Sequence, residues 1–276
     1  MELNKNHRSD ELPLAGLRFL VTRMDNEEPS VTKMLESKGA SVIVIPMTKI
    51  VDPSSWDLFD KTVSKFEKID WAIFTSSNGV SRCLKRLGDL NHSPIRIFSK
   101  IKIACVGLST SNRLVKNGIV PKIVPTHFQT EDLIYALKKY KLKGKKIWLI
   151  QAEFPRKLLI KELKKQESEV IFTPVYKTEP ILGDNGLLIL ELEQSKLDWI
   201  LFGSPSAVKN FQKILPKGLW LSLSNIPKIG CIGQITAEAV QDFGWKVEAK
   251  PNVQDFEHLV QKVCEINSKK SDISNY

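Results

Sequence analysis

Four cysteines and four histidines are the whole supply of thiol and imidazole side chains in 276 residues, and neither set forms a motif. Cys83, Cys105, Cys231 and Cys264 are scattered, with no CxxC and no zinc spacing, so a zinc site is not expected and a reducing cytosol is the default compartment. His7, His92, His127 and His258 make no local pair of the kind that holds zinc. There is no GxGxxG, GxxxxGK[ST], GxSxG or HExxH, so the usual phosphate loops, nucleophile elbow and zinc helix are absent. The opening MELNKNHRSDELPLAG has no apolar stretch of the secretory type, and export is not expected. No apolar run approaches the roughly 18–20 residues of a membrane span.

What is present is a globular composition, with 42% apolar and 26% charged residues. The length suits two domains of ordinary size, each with its own core. The formal net charge of +10 fits an anionic partner such as nucleic acid, a membrane surface or a polycarboxylate. It equally fits lysine that merely solvates helix faces. The densest run, Lys138–Lys146 (KKYKLKGKK), falls where a helix should end before Gly144, and lysine suits a helix C-terminus on dipole grounds alone.

One stretch organises the rest. Asp198–Phe211 (DWILFGSPSAVKNF) reads as a buried strand, a tight turn and a helix, with Ser204 as N-cap and Pro205 as the first helical residue. Asp70–Cys83 (DWAIFTSSNGVSRC) echoes it: Asp, Trp, Phe, Ser and Val recur in register, 128 residues apart. Lys102–Gly107 matches Lys228–Gly233, and Thr110, Gly118 and Pro125 match Thr236, Gly244 and Pro251, all 126 apart. Val42 and Pro46 match Val170 and Pro174. The period far exceeds the roughly 20–50 residues of a solenoid repeat and indicates an α/β domain duplicated within the chain.

Strand and helix signals alternate throughout. Strands are expected at 17–21, 41–47, 71–75, 102–106, 121–124, 146–151, 169–178, and from 199, 228 and 246. Helices are expected at 27–38, 55–68, 130–139, 155–166 and 184–194, others ending near Leu87 and Asn117 or starting near 205, 234 and 255. Residues 1 to about 14 and Ser268–Tyr276 read as frayed ends. The expected fold class is α/β, two similar doubly wound parallel-sheet domains. Ile45–Pro53 and Thr173–Pro180 are extended, proline-bounded and equivalent in the repeat. If both cross between domains, residues 1–47 and 178–276 form one domain, 53–173 the other, and 48–52 with 174–177 a two-stranded linker.

A small polar turn recurs after the strands: Thr22-Arg23, Ser76-Ser77-Asn78, Gly107 to Thr110, Ser204-Pro205-Ser206 and Gly233 to Thr236. In an open parallel sheet such turns lie at the carboxyl edge, where ligands bind. Helix N-termini there attract carboxylates or phosphates. Capping alone also explains each Ser and Thr, but turns of this kind in both domains favour a ligand with several anionic groups. Tyr176 lies in a proposed crossing strand. Its phenol can donate a proton or hydrogen bond without carrying charge, although tyrosine also suits strands for packing.

The motifs Val21-Thr-Arg23, Phe74 to Val80 (FTSSNGV), Val106-Gly-x-x-Thr110, Pro174 to Thr178 (PVYKT), Phe202 to Val208 (FGSPSAV) and Ile232-Gly-x-x-Thr-Ala237 occur in an order and spacing that resemble the uroporphyrinogen-III synthase family, from about Leu17 to Val263. The resemblance implies two α/β domains joined by a two-stranded linker with the active site between them. It implies conversion of the linear tetrapyrrole hydroxymethylbilane to uroporphyrinogen III in tetrapyrrole (heme, chlorophyll) biosynthesis. Water is lost and ring D inverted, with no metal and no cofactor. The implied partner is that polycarboxylate substrate, with transient contact to the enzyme supplying it, and neither nucleic acid nor membrane. By resemblance Tyr176 assists departure of the hydroxyl group, and Thr110, Thr236, Ser76 and Ser204 stand at the substrate-facing turns, with Ser77 and Ser206 beside them. Arg23, Arg156 and Lys228 are expected carboxylate partners. Two positions depart from the family pattern: Gly203 replaces the usual threonine, and Gln234-Ile235 replaces a more polar or proline-containing pair. The rival readings are a two-lobed small-molecule binding protein and a nucleotide-sugar glycosyltransferase; the second lacks a Gly-rich phosphate loop and an acidic ribose partner.

Overall fold

Trp71–Phe74 and Trp199–Phe202, the apolar tetrapeptides of the repeat, are strands in which every side chain is buried. A strand buried on both faces needs a helical layer on each side of its sheet. The computed structural model describes residues 12–24, 30–125, 130–155, 157–181, 183, 186–194 and 196–273, with side chains as far as 268. The strands are β1 (Arg18–Val21), β2 (Ser41–Val44), β3 (Thr48–Val51), β4 (Trp71–Phe74), β5 (Lys102–Cys105), β6 (Lys146–Ala152), β7 (Glu169–Pro180), β8 (Trp199–Phe202), β9 (Lys228–Cys231) and β10 (Val247–Ala249). The helices are α1 (Val31–Glu36), α2 (Asp57–Val63), α3 (Ser77–Asp89), α4 (Pro94–Phe98), α5 (Leu108–Lys116), α6 (Thr130–Leu137), α7 (Leu158–Lys165), α8 (Gly186–Glu193), α9 (Pro205–Ile214), α10 (Leu219–Ser222), α11 (Gln234–Gln241) and α12 (Phe256–Ile273).

Two compact units result, residues 1–49 with 180–276, and residues 50–179. The first holds a sheet in the order β10-β9-β8-β1-β2. Its neighbouring strands are all parallel. Leu20, Ile200, Phe202 and Ile229 pack on one face with Phe211 of α9 and Val240 of α11. Phe19, Val21, Trp199 and Leu201 pack on the other with Leu35 of α1 and Leu259 of α12. The second sheet runs β3-β7-β6-β4-β5. Phe74, Ile103, Trp148 and Ile150 face α3 and α5 through Val80 and Leu114. Ile73, Ile147 and Leu149 face α6 and α7 through Leu133 and Leu163. Alternation along each strand thus feeds two apolar layers, the doubly wound arrangement expected from the sequence.

The echo is also visible at the amino edges. The Asp70 carboxylate accepts the Lys146 backbone N–H at 2.9 Å, and that of Asp198 accepts the Arg18 N–H at 2.8 Å. Lys102 Nζ lies 5.6 Å from the centre of the Trp71 ring, and Lys228 Nζ 5.1 Å from that of Trp199. The recurring Asp-Trp and Lys therefore lock the first residues of neighbouring strands together. Burial works against the charge on Asp70, yet the Lys145 ammonium and the Lys146 N–H hold its carboxyl below the ordinary value.

Thr48–Val51 and Glu169–Pro180 are adjacent strands of the second sheet. The strand expected at 121–124 is reduced to a single bridge between Ala104 and Ile123. Pro121 and Pro125 lack the N–H groups a longer ladder needs. Both expected frayed ends differ within the described residues. Leu14 is fully buried, and α12 continues to Ile273 because each added helical residue gains a backbone bond once the turn exists. The short helices α4 and α10 carried no periodic signal.

Candidate functional site

In the unit of residues 50–179, the carboxyl ends of β4 and β6 and the stretch of β7 around Tyr176 meet the start of α3. Ser76 leaves β4 in an extended conformation and caps α3, its Oγ accepting the Gly79 N–H at 3.0 Å. The same oxygen lies 3.0 Å from the Tyr176 hydroxyl, 100 residues away in the chain. Tyr176 is delivered there by an irregularity in β7: Gln151 of β6 pairs with Pro174, and Ala152 pairs with Tyr176, so Val175 is the extra residue. The Glu153 N–H fastens the Tyr176 carbonyl at 2.8 Å. Gly79 keeps the space open; a Cβ there would stand 3.2 Å from Ser76 Oγ and 3.8 Å from the phenol ring.

Tyr176 is 9% exposed. Burial raises its pKa above the ordinary 10, partly opposed by the hydrogen bond shared with Ser76. The phenol is therefore a neutral donor across the physiological range. Beside it, the Thr75 hydroxyl donates to Gln151 Oε1 at 3.3 Å. Gln151, buried at 5% exposure, is a polar residue the sequence reading missed; one amide at the end of an apolar strand carries no motif. Ser77 is the first residue of α3. Thr110 is the third residue of α5 and 4% exposed. Arg156 lies outside the described residues.

In the unit of residues 1–49 and 180–276, Ser204 caps α9 through the Ala207 N–H at 3.2 Å, and its Oγ lies 3.0 Å from Ser206 Oγ. Thr236 is the third residue of α11 and 3% exposed. Arg23 follows β1, its guanidinium 5.1 Å from the centre of the Phe256 ring and its Nε donating to the Met24 carbonyl at 3.2 Å. Thr22 is fully buried and donates to the Leu201 carbonyl at 2.8 Å, a purely structural bond. The departure at Gly203 has a steric cause: a Cβ would stand 2.9 Å from the Phe256 ring, so the side chain Thr75 carries has no room here. Gln234, the other departure, is held by Lys250 and by Glu238.

The structure thus brings together Ser76 with Tyr176, and Ser204 with Ser206. It does not bring Lys228 to a carboxyl edge. Lys228 is the first residue of β9, over Trp199 and 3.4 Å from Asn267 Oδ1, at the opposite strand end from Gly233.

A family model described as uroporphyrinogen-III synthase HemD matches residues 30–261. The uroporphyrinogen-III synthase of Synechococcus elongatus is 27% identical, over 87% of this chain and 91% of that protein. That of Chlorobaculum parvum is 26% identical, over 89% and 97%. Among solved structures, a mutant uroporphyrinogen III synthase from Thermus thermophilus superposes with a TM-score of 0.64 at 18% identity, covering 92% of this chain and 99% of that one. The Helicobacter pylori uroporphyrinogen-III synthetase gives 0.58 at 16%, covering 91% and 99%. These two likenesses bear on the fold; the family match covers most of the chain. The chain belongs to the uroporphyrinogen-III synthase family, enzymes of porphyrin biosynthesis.

Proposed function

We propose that the chain closes hydroxymethylbilane to uroporphyrinogen III, losing water and inverting ring D through a spiro intermediate. The observation that carries the mechanism is the buried, neutral Tyr176 phenol sharing a hydrogen bond with Ser76 at a strand carboxyl edge. The pyrrole nitrogen drives the hydroxyl group out, and Tyr176 O–H supplies the proton that lets it leave as water. The pyrrole proton released on rearomatisation restores the phenol. The larger task is positional: ring D must be held so that its substituted carbon is attacked before the type I ring closes. Acetate and propionate groups bind to the N-terminal turns marked by Ser77, Thr110, Ser204, Ser206 and Thr236, and to Arg23, whose guanidinium suits carboxylates. Lys228 is left out of this set by its place at the amino end of β9.

The four unpaired cysteines favour a reducing cytoplasm. Among the described residues no helix is long and apolar enough to cross a membrane. The instability of the bilane favours delivery by transient contact with the enzyme that makes it. The test is conversion of freshly made bilane by the purified chain. Turnover above the enzyme-free rate is expected, and turnover no faster than that rate refutes the reading.

A further inference from the structure

Gln151 carries an unexplained polar group. Its Oε1 is used by Thr75, but its Nε2 is buried and has no partner. A primary amide offers two donors, and leaving them bare inside a protein is less stable than an apolar side chain of similar size. Among the described residues, the other buried side-chain nitrogens without partners are Arg18 Nε, Trp199 Nε1 and Gln166 Nε2. Arg18 and Trp199 open β1 and β8, and Gln166 follows α7 just before β7 begins. Gln151 alone of these stands at a strand's carboxyl end. It is joined to Thr75, the residue before the serine that holds Tyr176. The break in the β6–β7 register falls immediately after it, and the N-terminus of the thirteen-residue α3 adds a positive dipole end nearby.

The other unit supports the same assignment. Ile147 of β6 pairs with Trp71, and Phe19 of β1 pairs with Trp199. Four residues further on stand Gln151 and Arg23, so the two sheets carry side-chain donors at matching carboxyl-edge positions. We propose that Gln151 is a substrate-binding residue whose Nε2 donates to a carboxylate oxygen of the polycarboxylate substrate, with Thr75 fixing the orientation of the amide. This rests on the reading that the substrate is a tetrapyrrole bearing acetate and propionate groups.

The experiment uses the full chain as wild type, Gln151→Leu and Gln151→Glu. It measures KM and kcat for hydroxymethylbilane, the Kd for uroporphyrin by fluorescence, and the thermal midpoint. For Gln151→Leu we expect KM and Kd to rise about tenfold, the effect of losing one hydrogen bond to a charged group, with a midpoint unchanged or higher. Gln151→Glu keeps an acceptor for Thr75 but sets like charge against the carboxylate, so its binding is expected to be weaker still; it also carries the test should the leucine variant fail to fold. Unchanged KM and Kd in the folded variants, with a lowered midpoint, would make Gln151 a packing residue and overturn the proposal. If the wild type forms no type III product yet Gln151→Leu still weakens uroporphyrin binding, the proposed reaction fails and the carboxylate site stands. If the wild type forms type III product and both variants bind as it does, the site alone fails.

Discussion

Replacing Tyr176 by phenylalanine removes one oxygen and leaves the ring in its pocket. Ser76 loses the phenol at 3.0 Å but keeps the Gly79 N–H at 3.0 Å, so the cap of α3 survives. The stability lost is that of one neutral hydrogen bond, about 1 kcal/mol, or a fall of roughly 3–5 °C in the thermal midpoint for a unit of this size. The rate should suffer more. General acid assistance is worth about a hundredfold or more, and the electron push from the pyrrole nitrogen places this case at the low end, a loss of about 10- to 100-fold in kcat with KM little changed. Stopped-time assays that oxidise the product and quantify it chromatographically measure both constants. The pH dependence adds a second readout. Because burial raises the Tyr176 pKa above its ordinary value, the donor form prevails across the neutral range and is lost only as pH rises through the raised value. The wild-type rate should therefore show no decline from this group between pH 7 and 9. A folded Tyr176→Phe variant with wild-type kcat would refute the role assigned to the phenol.

Three further outcomes follow from the packing. Gly203→Ala drives a Cβ to 2.9 Å from the Phe256 ring; overpacking of this kind costs about 1–3 kcal/mol, read by denaturant titration, and the same substitution made in a Phe256→Ala background should cost less than it does in the wild type. Asp70 has a carboxyl pKa depressed in the folded state, so its stabilising effect is full above the unfolded value near 3.9 and is lost as pH falls through the lower folded value. Asp70→Asn should accordingly lower stability at pH 7 and approach the wild type near pH 2, with equal differences at the two pH values contradicting the assignment. Lys228→Ala should leave KM for the bilane unchanged and lower the thermal midpoint by a degree or two, as expected for one cation–π contact of roughly 0.5–1 kcal/mol; a rise in KM would return Lys228 to the binding residues.

The architecture was legible because it rests on repetition and on two-sided burial. Trp71 and Trp199 head apolar tetrapeptides that cannot be half-exposed strands, and the turn residues after them announce helices. The same echo was less informative about function. Asp70, Asp198, Trp71, Trp199, Lys102 and Lys228 recur because they tie strand starts together, and a basic side chain in a repeat says nothing of which strand end it serves until the strand's direction is known. The contact between Ser76 and Tyr176 depends on a one-residue irregularity in β7, which no periodicity records. Gly203 looked like a defect in a motif until Phe256, more than fifty residues later, was seen to need its space. Gln151 was invisible because its significance lies in an unmade bond, a property of packing alone.

The central claim is control of ring closure, and the isomer ratio measures it directly. Purified protein given fresh hydroxymethylbilane should yield mainly type III uroporphyrinogen, while the enzyme-free reaction yields type I. Type I product alone, from folded protein at any enzyme concentration, would contradict the account.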